Sequence, residues 1–160
     1  MRFLIYIIIF ILIIPVQTIF MDTISIHGIT PEIGLVIVYC IGMFYGEVEG
    51  IVIGFYLGVI LDIFSGGFWY NFLGKTLIGL LSGLLGKSIL NLKLYFNISM
   101  IFLFSLIEGV LVYLMLEMLE KDINFFETLK GIIIPQSIYN GVIGGIASWM
   151  LFKKKQLNSF

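Results

Sequence analysis

Glycine recurs at every fourth position through Gly42, Gly46, Gly50, Gly54 and Gly58, and the next step of the same spacing is a carboxylate, Asp62. Inside a soluble helix each glycine costs about 1 kcal/mol against alanine, whereas in lipid the small-xxx-small spacing lets two backbones approach closely enough for dispersion to hold them. The ladder therefore reads as a helix-contact surface within a membrane. A four-residue step advances about 400° around a helix, so the ladder drifts roughly 40° per step and is expected to serve two or three neighbours.

The rest of the chain agrees with a bilayer setting. Hydrophobic residues make up 60% of its 160 positions and charged residues 12%, which excludes an ordinary soluble domain. At about 20 apolar residues per crossing, this length allows five or six spans and no separate soluble domain. The expected architecture is an all-α integral membrane protein, one polytopic domain over residues 1–160, with spans at 3–21, 32–45, 50–64, 72–90, 95–117 and 131–152. The first span contains Pro15 and Gln17, is preceded by Arg2, and lacks a small-residue cleavage site, so it reads as uncleaved. The apolar tract from Ile33 to Phe64 would make a helix of about 48 Å, too long for a hydrocarbon core of about 30 Å. It must turn, and Gly46 to Gly50, around Glu47 and Glu49, is the expected place, with both glutamates solvated. Thr30 is the expected cap of the preceding span, with Pro31 in its first turn and Glu32 complementing its dipole. Phe68, Trp69 and Tyr70 suit an interfacial belt, and Glu120 to Lys130 reads as a polar loop.

Six spans place Arg2, Lys87, Lys93 and Lys153 to Lys155 on one side, against Lys121 and Lys130 on the other. The positive-inside rule then sets both termini in the cytoplasm.

Few residues carry chemistry. Asp62 and Lys75 flank one outer loop and are expected to pair across it in a structural role. Glu108 is embedded in the fifth span and shares a face with Ser105, three residues earlier. Pro135, Gln136 and Asn140 lie within the last span. His27 stands alone in a loop and Cys40 in an apolar run, so neither marks a metal or disulfide site. No nucleophile has a nearby base, which argues against an enzyme, and no catalytic, cofactor-binding or metal constellation is expected. A net charge of -1 excludes nucleic acid as a partner, and the terminal lysines suit anionic lipid headgroups.

Pro31-Glu32, the ladder from Gly42 to Gly58, Gly54-Phe55 with Asp62, the Ser65-Gly66-Gly67 loop, and Pro135 with Asn140 together resemble the MreD family of rod shape-determining proteins. The resemblance covers nearly the whole chain. It implies a non-enzymatic scaffold of the bacterial elongation complex in the inner membrane. Its partners would be the bitopic protein MreC, the elongation glycosyltransferase and transpeptidase, and cytoplasmic MreB; apart from the resemblance, membrane lipids are expected partners, and a homo-oligomer is left open by the sequence. The MreD family is similar in fold to the substrate-binding subunits of energy-coupling-factor vitamin transporters, and such a subunit is the alternative reading. Against that alternative, the first span lacks the small-xxx-small pair expected to dock an energising partner.

Overall fold

The computed structural model of the chain describes residues 25, 28–64, 69–88, 93–119 and 124–157. The expected first span, His27, the Ser65-Gly66-Gly67 loop with Phe68, and Lys121 lie outside them. The elements among the described residues are helical: α1 (Ile33–Tyr45), α2 (Glu47–Phe64), α3 (Tyr70–Ser88), α4 (Leu94–Met118), α5 (Phe125–Thr128), a π-helical turn (Leu129–Ile133) and α6 (Ile134–Leu157).

Burial departs from that of a soluble protein in the polar groups it encloses beside an apolar core and the large apolar side chains it leaves outside. Lys75, Asn97, Ser82, Ser137 and Ser148 are completely enclosed, while Ile63, Phe64, Val48, Phe126 and Met150 stand outward. Apolar side chains outside and polar ones inside match a lipid solvent, where an unpaired polar group has no water to meet it. By length and apolarity alone, α4 is the one clear membrane-crossing helix among the described residues. It is 25 residues, about 38 Å, whereas the 13 residues of α1 reach only about 20 Å.

Three local expectations change. The turn expected over Gly46–Gly50 narrows to Gly46, whose φ of 102° is open to glycine because it has no Cβ. Glu47 to Gly50 already form the first turn of α2, and Glu47 is half-buried because Gly83 packs on its backbone. At the head of α1 the cap residue is Glu32 in place of Thr30, and its carboxylate makes no cap bond because it is directed to Lys75. The expected polar loop ends early as well. Asn124 caps α5 by accepting from the backbone N–H of Phe126 at 3.1 Å, and helix continues from there to Leu157. Asn124 followed by Glu127 is a capping-box pattern, which accounts for that start. The π-helical turn sits just ahead of Pro135, with the Ile134 N–H reaching back to the Leu129 carbonyl, one residue beyond the usual helical partner. It accommodates a proline that can donate no bond of its own.

The glycine ladder packs chiefly on one helix, α3, with Gly50 of α2 also closing on Gly42 of α1 and nothing beside Gly46. A Cβ at Gly42 would strike the Ser82 hydroxyl, at Gly50 the Gly79 carbonyl, at Gly54 the Lys75 carbonyl, and at Gly58 the Phe72 backbone. The break at Gly46 divides the ladder, so Gly50 to Gly58 drift only about 80°, within reach of one crossing helix. From α3, Gly79, Gly83 and Gly86 answer against Gly50, Glu47 and Met43. Helices α1, α2 and α3 thus form one tightly packed group, and α4 with α6 forms a second. Leu35, Val38, Leu57, Ile78, Ile101 and Phe104 fill the space between them. Buried Tyr39 joins the groups by donating its hydroxyl to Asn97 at 2.7 Å.

Candidate functional site

Lys75 enters the bundle one turn into α3 and has no exposed surface. An ammonium in such a place must be paired and hydrogen-bonded, since removing it from water costs several kcal/mol. All three of its donors are used. They go to Glu108 Oε1 at 2.8 Å, to Asn71 Oδ1 at 3.1 Å, and to Glu32 Oε1. Glu108 comes from the middle of α4 and Glu32 from the head of α1, so one lysine ties three helices at the same end of the bundle.

Asp62 has a different role from the one its position suggests. It does not pair with Lys75. Its carboxylate accepts from the Asn71 backbone N–H and side-chain amide, each at 3.0 Å, and from the Phe72 N–H at 2.9 Å. It thereby caps α3, whose first N–H groups have no helical partner. Asn71 connects the two charges, donating to Asp62 and accepting from Lys75. The lysine is drawn to two carboxylates that need a counter-ion, while Asp62 is already satisfied by the helix head.

Asn140 extends the network to α6. Its Oδ1 accepts from the Glu32 backbone N–H at 2.7 Å, and its Nδ2 donates to Ser105 Oγ at 2.8 Å. One turn earlier Gln136 Nε2 donates to the Thr30 carbonyl at 3.3 Å. Pro135 takes no part beyond shaping the start of α6.

These side chains border a cavity of about 460 Å³. Its polar wall consists chiefly of Glu32, Asn71, Ser105, Glu108 and Gln136, and its apolar wall of Leu61, Val112, Leu116, Ile132 and Ile133, with Tyr70 and Tyr113 between. That volume and mixed lining are those of a small-molecule site, apolar for most of its area with a few convergent polar groups. Among the described residues no three His, Cys, Asp or Glu side chains are grouped to hold a metal ion.

The expected partner surface is not free. Gly42, Gly50, Gly54 and Gly58 are covered by α3, and only Gly46, at the helix break, has open space beside it. Asn71 was not singled out from sequence as a contributor to the site, and Gln136 was named only as a polar residue within the last span. Each has a signal in its spacing, because Asn71 precedes Lys75 and Gln136 precedes Asn140 by four residues, which stacks each pair on one helix face.

A family model described as ECF-type riboflavin transporter, S component, matches residues 3–157. Comparison with curated proteins and with solved structures gave no match. The family match overturns the MreD resemblance and with it the cell-shape scaffold and its partners MreC, MreB and the wall synthases. The features behind that resemblance, glycine spacing above all, serve internal packing between α2 and α3. Two families of similar bundle can share such packing, so it does not discriminate between them.

Proposed function

The chain belongs to the family of S components of ECF-type riboflavin transporters, and from that premise we propose that it is the substrate-capturing subunit of a vitamin importer, holding a flavin in the cavity beside Glu108. It is an integral protein of the cell membrane. The observation that carries the reading is the cavity itself: about 460 Å³, bordered by α2, α3, α4 and the α5–α6 segment, apolar along one wall and edged by a buried polar network. A flat heteroaromatic ring system with a hydroxylated chain suits apolar walls beside convergent acceptors and donors.

Orientation supports capture from outside. The cavity lies where α1 begins, α2 ends, α3 begins and the α5–α6 segment begins. In a single six-span domain with both termini cytoplasmic, which the lysine distribution favours, that end faces outward. Such a subunit catalyses no reaction; its partners are an energising ATPase and a transmembrane coupling component.

Riboflavin-auxotrophic cells lacking their own uptake system test this. Co-expression of the chain with the ATPase and coupling components should restore growth on low riboflavin. A chain present in the membrane and recovered with those components, yet giving no uptake of labelled riboflavin, contradicts the proposal.

A further inference from the structure

A groove lies on the outward side of the bundle, between α4 and α6, and shares none of its described lining residues with the flavin cavity. Ile98, Ser99, Phe102 and Leu103 form one side and Ile138 with Gly141 the other, around about 470 Å³. Leu103 and Ile138 stand out at its rim, and Ser99 brings the one polar side chain among the described residues that line it. Close docking of a helix in lipid relies on small residues at the contact. On α6 those residues are turned inward: a Cβ at Gly141 or Gly145 would meet Ile98, and one at Gly144 would meet Val36 and Ile101. The groove is therefore rimmed by large side chains, a shape that suits a flexible hydrocarbon chain better than a second backbone.

Charge separates the two ends of this groove. Gly145 packs on Ile98, so the end where α4 begins is the end where α6 finishes. There the chain places Lys93, immediately before α4, and Lys153, Lys154 and Lys155 in the last turns of α6. Neither helix opposes them with a carboxylate, since none occurs from Ser88 to Ile107 or after Glu127. Glu47 and Glu49 stand at the same end, but on α2, which packs against α1 and α3. Lys93 is exposed, with its Nζ 5.7 Å from the centre of the Tyr95 ring, a pairing of residue types suited to the headgroup level. From Lys93 to Leu103 the helix rises about 15 Å, half of a hydrocarbon core of about 30 Å. The groove thus occupies the depth of one leaflet beneath a basic rim. We propose that it holds one acyl chain of an anionic glycerophospholipid whose phosphate sits at the lysine-rich end. This goes beyond the importer reading and does not depend on it. A second copy seated on the same groove by a two-fold axis along the bilayer normal would set those lysines against themselves.

The test strips the full-length protein of lipid in a nonionic detergent and titrates it with phosphatidylglycerol and, separately, with phosphatidylcholine of identical acyl chains, counting bound lipid by native mass spectrometry. The shared chains cancel, so the difference reads the headgroup. One phosphatidylglycerol should bind per chain, at least about fivefold more tightly than phosphatidylcholine, since each lysine near an anionic lipid is worth about that factor. Lys93→Gln should lower phosphatidylglycerol affinity about fivefold and leave phosphatidylcholine unchanged. Ser99→Trp puts a bulky ring at an exposed position within the groove and should weaken both lipids while the protein still elutes as one folded species. Equal affinity of the wild type for the two lipids overturns the proposal. So does unchanged phosphatidylglycerol affinity in Lys93→Gln, or in a folded Ser99→Trp variant. A dimer, or a complex with the ATPase and coupling components, that is lost in Ser99→Trp while lipid stays bound gives the groove to a protein helix and likewise overturns it.

Discussion

Lys75 is the residue on which the cavity end of the bundle depends. Truncating one partner of a buried charge cluster strands the others, so Lys75→Met, which leaves buried Glu108 facing half-buried Glu32 without their counter-ion, should cost about 3–5 kcal/mol. Combining it with Glu108→Gln removes part of that repulsion. The double variant should therefore be more stable than the sum of the single losses predicts, by about 1–3 kcal/mol. Thermal unfolding of purified protein, read by light scattering and tryptophan fluorescence, measures this coupling. Asp62 should behave as a cap. Asp62→Ala is expected to cost about 1–2 kcal/mol, with much weaker coupling to Lys75 than Glu108 has. Strong coupling of Asp62 to Lys75 and none of Glu108 would contradict the hydrogen bonds seen here.

At the scale of the element, the α2–α3 contact is made backbone to backbone. A methyl group at Gly54 would fall inside contact distance of the Lys75 carbonyl, which belongs to a helix and cannot rotate away. Gly54→Ala should therefore cost about 1–3 kcal/mol through overpacking and lower the yield of folded protein in gel filtration. Gly131, in the π-helical turn, has open space around it. Gly131→Ala should be neutral, or stabilising by up to about 1 kcal/mol through helix propensity. The contrast shows what a sequence carries. The four-residue glycine period is local, and so is the polarity of its surroundings; both can be read without knowing the fold. The partners of Lys75 are not local, since Glu32 lies 43 residues before it and Glu108 lies 33 residues after it. Two helices must pack before those carboxylates have any relation to the lysine, so the nearest carboxylate across the loop, Asp62, was the natural but incorrect expectation. The Asn124–Glu127 cap was legible in principle, yet the polar run around it reads equally as loop.

At the scale of the whole molecule, class and site differ in how far they could be read. A lipid environment follows from composition, because few other solvents suit a chain that is 60% hydrophobic. The cavity does not, because it exists only where α2, α3, α4 and the α5–α6 segment converge beside the head of α1. Family was misassigned for a related reason: close-packing motifs report that helices touch, and say nothing of what the space between them holds. Orientation can be checked by reporter fusions. Fusions after Gly28 should score external and those after Phe160 internal; an external score at Phe160 contradicts six spans. The central claim, that the cavity bordered by Glu108 holds the flavin, is tested most directly by titrating purified protein with riboflavin and following flavin fluorescence, in the wild type, in Val112→Trp, which fills the cavity, and in Val142→Trp, on the outward face of α6. The account predicts saturable binding of one flavin per chain, weakened at least about tenfold by Val112→Trp and unaltered by Val142→Trp. Undiminished binding in a folded Val112→Trp variant would contradict it.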